Sequence, residues 1–336
     1  MPRLYSADQL CGLNMPSEQG NVAVIVAAWN AQATITRAIQ SALIQPEVSE
    51  VIVVNDGSTD ETEMVVRAAI ASDPRVLLFS TNGNKGPAAA RNLAIAHSQA
   101  EYIAVLDADD FLLPARFSKI FKVKGWDAIA DNIAFVPEEQ AAECDQAKLE
   151  RFAPDTCSLN LAAFIAGNIA RPGKQRAELG FIKPVIRRQF LAENGIRYDE
   201  TLKLGEDFAF YGQMLSAGAR FLTLKTCGYV AVERIDSLSV RHRTEDLAAL
   251  LEFCRKFERA SIRDSAEADA IHRHRTQLEG KLFHRKILDV RKAEGRFAAL
   301  LQALANPRGM PTLTSAVLRD KLYRLPPPDR EVRYLF

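Results

Sequence analysis

Long apolar runs are missing from this chain of 336 residues, and so is any pairing pattern among its cysteines. No stretch approaches the roughly 18 apolar residues that span a bilayer, and residues 1–20 lack the apolar core with basic flanks that marks a signal peptide. The five cysteines, Cys11, Cys144, Cys157, Cys227 and Cys254, are odd in number and widely scattered, with no Cys-x-x-Cys or zinc-type spacing. That distribution argues against a disulfide framework and predicts reduced thiols in a cytoplasmic protein. No Gly-x-Gly-x-x-Gly follows the first apolar segment, where Ala27-Ala28-Trp29-Asn30 stands instead, which argues against a dinucleotide cofactor. Gly-x-x-x-x-Gly-Lys-Ser/Thr is absent throughout, which removes the P-loop class.

What is present describes an ordinary globular protein, 48% hydrophobic and 25% charged, long enough for about two domains. The net charge of +1 hides an asymmetry. Residues 241–336 carry 20 Lys and Arg against 13 Asp and Glu, a net +7, which leaves −6 on residues 1–240. An acidic head with a basic tail points to an anionic surface as partner; a solvated helical face is the simpler reading of any single cluster. No nucleic-acid partner is expected.

Periodicity predicts alternating strands and helices: strands at 22–28, 51–54, 76–80 and 102–106, and helices at 34–43, 61–71 and 87–97, the last opened by Pro87. Such alternation predicts an α/β fold with a doubly wound, parallel sheet. The polar residues fall where the strands stop, at Trp29-Asn30, Asn55-Asp56, 82–85 and 107–110, so a parallel sheet collects them on one edge, where ligands bind in such sheets. The last is the most pointed. Tyr102-Ile103-Ala104-Val105-Leu106 runs into Asp107-Ala108-Asp109-Asp110, three carboxylates within four residues that repel one another unless a cation sits among them. A hard divalent ion, Mg²⁺ or Mn²⁺, shares such sites with phosphate oxygens. The alternative is that Asp109 or Asp110 caps a helix beginning near Pro114.

Taken in order, Val-Ala-Ala-Trp-Asn, Val-Asn-Asp-Gly-Ser-Thr-Asp, Asn-x-Gly-x-x-x-Ala-Ala-Arg-Asn and Leu-Asp-Ala-Asp-Asp resemble the family 2 inverting glycosyltransferases of the GT-A fold. The match is close over residues 21–119 and loose to about residue 243. The resemblance implies a GT-A, mixed and mainly parallel sheet flanked by helices. It implies that Asp56 accepts a hydrogen bond from the uracil of a UDP-sugar, with Ala28 and Trp29 forming part of the base pocket and Arg91 near the base and pyrophosphate; Asn30 and Lys85, on the same sheet edge, are further candidates for donor binding. Asp107, with Ala108, would approach the ribose or the sugar, and Asp109, supported by Asp110, would ligate Mn²⁺ or Mg²⁺. Gly205-Glu206-Asp207-Phe208 resembles the segment that supplies the family's general base, with Asp207 the candidate and Glu206 the alternative. Such a base would deprotonate an acceptor hydroxyl as it attacks the anomeric carbon, and attack from the face opposite the diphosphate inverts the centre. The purely structural readings are that Asp56-Gly57 is a turn, that Ser58 or Thr59 caps a helix, that Arg91 is a surface residue and that Glu206 or Asp207 is a cap.

The implied division is a lead-in at 1–20, a catalytic domain at 21–240 with its donor half at 21–120, and a basic, mostly helical region at 241–336. Residues 181–186 are expected to form a strand. Leu247, Leu250, Leu251, Cys254 and Phe257 make an apolar helical stripe, a theme that Leu278, Leu282 and Phe283 and then Phe297, Leu300, Leu301 and Leu304 continue. Packing on the catalytic domain is their first expected role; their basic faces would then hold the enzyme at the inner leaflet, near a lipid-linked acceptor. His242 is either a late metal or phosphate ligand or a surface histidine. The Gln-x-x-Arg-Trp motif and membrane spans of processive synthases are absent, which favours single addition, and the closest group is the exopolysaccharide transferases that extend a glycan or lipid-linked repeat unit with glucose or a similar hexose. A sugar-nucleotide pyrophosphorylase would require a Gly-rich, Arg-Lys-bearing loop after the first strand. A non-catalytic nucleotide-sugar scaffold would be marked by loss of Asp109 or the base, and both positions are intact.

Overall fold

The structure, a computed structural model, describes residues 20–144, 149, 152–169, 179–233, 243–261, 264–306 and 332–335. Most of the lead-in, His242 and the Pro-rich segment at 325–329 lie outside the described residues.

Residues 22–105 fold as the apolar spacing dictates. β1 (Val22–Ala28), α1 (Ile35–Leu43), β2 (Val48–Asn55), α2 (Thr62–Ser72), β3 (Val76–Ser80), α3 (Pro87–His97) and β4 (Tyr102–Val105) alternate. β1 is buried along almost its whole length, as an unbroken run of Val, Ile and Ala requires when helices cover both sheet faces. It pairs in parallel with β2 and β4, and β2 with β3. The register sets Ala28 beside Asn55 and Asn55 beside Ser80, so these strands end on one edge.

The second half makes the sheet mixed. β5 (Phe111–Leu112), α4 (Arg116–Ile120), β6 (Ala128–Pro137), α5 (Glu138–Ala141), β7 (Thr156–Ser158), α6 (Leu161–Gly167), β8 (Val185–Arg187), α7 (Arg188–Glu193), α8 (Glu206–Ser216) and β9 (Phe221–Glu233) follow. The strand order is β3-β2-β1-β4-β8-β6-β9-β5, with β7 on β9. β8 enters antiparallel between β4 and β6, while β6 and β9 pair in parallel. The wholly parallel arrangement therefore holds for β3-β2-β1-β4 and ends at β8. The strand expected at 181–186 is shorter and later: a 3-10 turn occupies Leu179–Phe181 and pairing begins only after Pro184, which has no N–H to give a ladder. Nor does Asp109 or Asp110 cap a helix at Pro114. α4 starts two residues later, behind Ala115, whose φ of 60° and lack of a capping side chain set its entry.

A buried ion pair anchors this half. Arg116 on α4 reaches Asp131 on β6 through Nε at 3.0 Å and Nη2 at 2.8 Å, and both side chains are sealed from solvent. Burial pushes the Asp131 carboxyl up, against the pull of Arg116. Room for the pair comes from Gly228 on β9, where a Cβ would stand 2.3 Å from Asp131 Oδ2 and 2.5 Å from Arg116 Cγ. The β6–β9 register slips around Asn132, beside this crowding.

Three helices complete the described chain: α9 (Thr244–Ser261), α10 (Ser265–Glu294) and α11 (Arg296–Leu304). α10, at 30 residues, is about 45 Å long. The predicted α9 stripe of Leu247, Leu250, Leu251, Cys254 and Phe257 is buried. It backs α8, with Leu250 against Gly205 and Phe257 against Gly212, and His274 of α10 stacks on Phe208 at 4.5 Å. The expectation fails for α11. Ala299 and Ala303 face inward, whereas Phe297, Leu300, Leu301 and Leu304 are exposed, Phe297 by 74%, because small residues let α11 pack closely on α10 and turn the larger ones outward. β10 (Arg333–Tyr334) returns to pair with β6. No described helix is long and apolar enough to cross a membrane, and Cys157, Cys227 and Cys254 are free thiols.

Candidate active site

The polar strand ends converge as the alternation predicts, but their side chains divide into those that brace loops and those that face one another. Asn30 and Asp56 are braces. Asn30 N–H donates to Ser58 Oγ at 3.0 Å, and Asn30 Oδ1 accepts from Thr59 N–H at 2.8 Å, which ties the loop after β1 to the loop after β2. Ser58 and Thr59 are thus cross-linked rather than capping; α2 begins behind Glu61. Asp56, buried, accepts from Thr81 Oγ1 at 2.6 Å and from the backbone N–H groups of Lys85 and Gly86 at 2.9 and 2.7 Å. One carboxylate holds the whole loop after β3. Ala28 is fully buried beneath this corner, its carbonyl accepting from Asp56 N–H, while Trp29 is 43% exposed above it. The Lys85 side chain points to solvent, and its carbonyl accepts from Lys203 Nζ at 2.6 Å.

Arg91 is no surface residue. At 5% exposure, it extends from α3 to three carboxylates: Nη2 lies 2.8 Å from Asp107 Oδ1, and Nη1 lies 3.1 Å from Glu206 Oε1 and 3.0 Å from Asp207 Oδ1. A second cation closes the cluster. Lys183 Nζ stands 2.9 Å from Asp107 Oδ2 and 3.1 Å from Asp207 Oδ2. Burial works against both cations, but Asp107 and Asp207 outweigh it and raise both pKa values. The same two cations overcome burial at Asp107 and hold its carboxyl well below the usual range. Burial, then the nearby Asp207, push Glu206 up, and burial with the same neighbour raises the Tyr198 and Tyr211 phenols.

The start of α8 explains how two acids reach this point. Gly205, at φ 74°, turns the chain into the helix without a capping side chain, so Glu206 and Asp207 occupy the first turn, where the helix dipole favours negative charge. They are not caps, because their carboxylates meet Arg91 and Lys183. Asn92, next to Arg91, bonds the backbone of Tyr198 in both directions, at 3.0 and 2.9 Å. The Arg-Asn pair thus joins α3 both to the acids and to the loop that leads to them.

The three acids after β4 have three environments. Asp107 faces the cations with its side chain 32% exposed. Asp109 is half-buried, its carbonyl accepting from Arg37 Nη2 at 2.9 Å; the small, buried Ala108 separates the two. Asp110 turns into the interior, where Oδ2 accepts from Tyr229 O–H at 2.7 Å and Oδ1 from Val232 N–H at 2.8 Å. Burial, with the charges of Asp107 and Asp109, raises its pKa well above normal. Tyr229 also accepts from Asp107 N–H, so one phenol fixes both ends of the turn.

This edge is crowded with negative charge, three carboxylates around Arg91 and Lys183 with Asp109 and Asp110 close by in the chain, and its donors are hard oxygens, which fits Mg²⁺ or Mn²⁺. No group of three or more His, Cys, Asp and Glu forms a metal cage among the described residues.

Lys183 and Tyr229 are the participants that sequence reasoning left without a role. The signal for Lys183 was a lone charge within the apolar run Phe181-Ile182-Lys183-Pro184-Val185-Ile186; Tyr229 carried none.

Two solved structures share this architecture. S. aureus TarS 1–349 superposes with a TM-score of 0.58 at 18% identity, covering 93% of this chain and 95% of that one. The mannosyltransferase PcManGT from Pyrobaculum calidifontis, solved with GDP-Man and Mn²⁺, gives 0.53 at 18% identity, covering 91% and 81%. At such identity the likeness shows the fold, that of the GT-A glycosyltransferases. Residues 23–142 match the model of Glycosyl transferase family 2. The succinoglycan biosynthesis protein ExoU of Rhizobium meliloti (strain 1021) is 44% identical over 307 residues, 91% of this chain and 90% of that protein. ExoO of the same organism is 32% identical over 292 residues, 85% and 82% of the two chains. The chain belongs to glycosyl transferase family 2 and is a glycosyltransferase, which sets aside the pyrophosphorylase and scaffold readings.

Proposed function

We propose that this enzyme transfers one hexosyl unit from a UDP-sugar to a hydroxyl of a glycan or lipid-linked oligosaccharide during assembly of a bacterial exopolysaccharide, with inversion at the anomeric carbon. The observation that carries the reading is the junction of the donor edge, Asp107, with the start of α8, Asp207, through Arg91 and Lys183. The names of ExoU and ExoO support the exopolysaccharide setting, and TarS, solved with UDP-GlcNAc, supports a UDP-linked donor.

In this reading Trp29, Asn30 and the corner above Ala28 receive the base, Asp56 with the loop it holds through Lys85 meets the uracil edge, and Asp107 with Ala108 meets the ribose. Asp109 holds a divalent cation, which supplies charge neutralisation for the departing diphosphate; Asp110 fixes the turn that presents it. Asp207 takes the proton of the attacking hydroxyl, and Arg91 compensates the buried acids. Glu206 is the alternative base, and D207N and E206Q separate the two. General-base loss costs about 10²–10⁴-fold; that drop belongs in D207N, with UDP affinity within threefold of the parent.

Calorimetric titration with UDP, GDP and dTDP, each with and without Mn²⁺, tests the donor site. UDP binding that tightens at least tenfold with Mn²⁺ is expected. Binding of none of the three overturns the donor reading, and preference for GDP or dTDP reassigns the base.

We further propose that the α10–α11 end rests on an anionic bilayer, where Phe297, Leu300, Leu301 and Leu304 are exposed beside Arg291, Lys292 and Arg296.

A further inference from the structure

In the charge cluster, Asp107 gives Oδ1 to Arg91 and Oδ2 to Lys183, and Asp207 does the same. Arg91, Asp107, Lys183 and Asp207 therefore close a four-membered ring of alternating charge in which each carboxylate is held by both oxygens. One cation would leave each carboxylate free to turn about its last bond; two on opposite oxygens fix its plane.

Lys183 is built into this position. Its side chain is 5% exposed, and its carbonyl accepts from Nη2 of Arg116 at 2.5 Å, the same guanidinium that is locked to Asp131. β8, two residues on, is paired with β4, the strand that delivers Asp107. The backbone that carries the ammonium is thus anchored from the core independently of the acids it holds.

We propose that Lys183 is a positioning residue for sugar transfer: by closing the ring it fixes the Asp207 carboxylate toward the acceptor hydroxyl and sets it at one spacing from the donor-side Asp107. The proposal rests on Asp207 being the base. Catalysis needs reacting groups aligned in a near-attack geometry, and small misplacements of a base are costly. The groups that face Asp207 are Arg91 from α3, Asp107 after β4, Lys183, Tyr198 from the preceding loop, and Glu206 and Tyr211 on α8 itself.

The test compares K183Q, which keeps the length and one hydrogen bond but not the charge, with K183R, which keeps the charge at a different reach. In K183Q, kcat should fall at least 50-fold with UDP affinity within threefold. KM for the acceptor should also stay within threefold, so that the loss falls on kcat alone, as expected when an interaction made only in the transition state is removed. K183R should retain more turnover, at about fivefold lower kcat than the parent. Folded K183Q with kcat within threefold of the parent, or a loss that falls on UDP affinity or acceptor KM rather than on kcat, overturns the proposal. Should K183Q fail to fold, K183R decides, and parental kcat in K183R overturns it. D207N distinguishes the two layers. If D207N turns over like the parent, the base reading falls; if D207N is dead and K183Q is not impaired, only the role of Lys183 falls.

Discussion

Carboxylates in this protein differ by what faces them rather than by where they stand in the sequence. Asp107 and Asp110 are three positions apart, yet two cations pull the first far down in pKa while burial among like charges pushes the second up. Asp73 gives a testable case away from the site. Side-chain and backbone hydrogen bonds from Arg75 hold its carboxyl down to about 2, while Arg75 also donates to the carbonyls of Val48 and Leu43. A depressed carboxyl stabilises the fold above its unfolded value near 3.8 and loses that contribution as pH falls through about 2. D73N should therefore melt below the parent at pH 6, and the gap should close between pH 4 and 2; a gap that stays constant over that range rules out this account. At this scale the motif residues could be named from the sequence, but the division of Asp107, Asp109 and Asp110 into three environments could not. It depends on Tyr229 and Val232 of β9, more than a hundred residues later.

Among the elements, β9 and α8 do most to shape the site from outside the motifs. β9 carries Tyr229 to the turn after β4, and its Gly228 makes room for the Arg116–Asp131 pair that anchors Lys183. G228A forces a methyl group into that pair, and overpacking beside a sealed ion pair should cost about 3 kcal/mol. Denaturant unfolding measures this, and a midpoint equal to the parent's would show that β9 can yield there. α8 is held from behind by α9 and α10, through Leu250 on Gly205 and His274 on Phe208, so the C-terminal helices serve the site at a distance. Most of these elements were legible, because a stripe such as Leu247-Leu250-Leu251-Cys254 reports its own buried face. α11 was not. Its larger apolar residues predict an inward face, but Ala299 and Ala303 won the contact with α10.

At the scale of the whole molecule, the outward face of α11 lies beside Arg291, Lys292 and Arg296, within a region, residues 241–336, whose sequence carries a net +7. Basic residues near an anionic surface contribute about 1 kcal/mol each, and exposed apolar side chains add their own burial. The enzyme should sediment with anionic vesicles more than with neutral ones and lose the difference in high salt, and F297S/L301S should weaken it at least fivefold. Equal co-pelleting with both vesicle types would remove the bilayer from the proposal.

Sequence by itself determined the alternation of strands and helices, the collection of Trp29, Asp56, Arg91 and Asp107 on one edge, and the acids at the start of α8. These depend on short-range signals: apolar period, strand ends and helix starts. Tertiary structure alone decided that β8 slots between β4 and β6, that Lys183 thereby meets Asp107 and Asp207, and that Asp110 turns inward while α11 turns outward. Each of those outcomes is a choice of partner across the chain, made by what fits against what, and no local period encodes it.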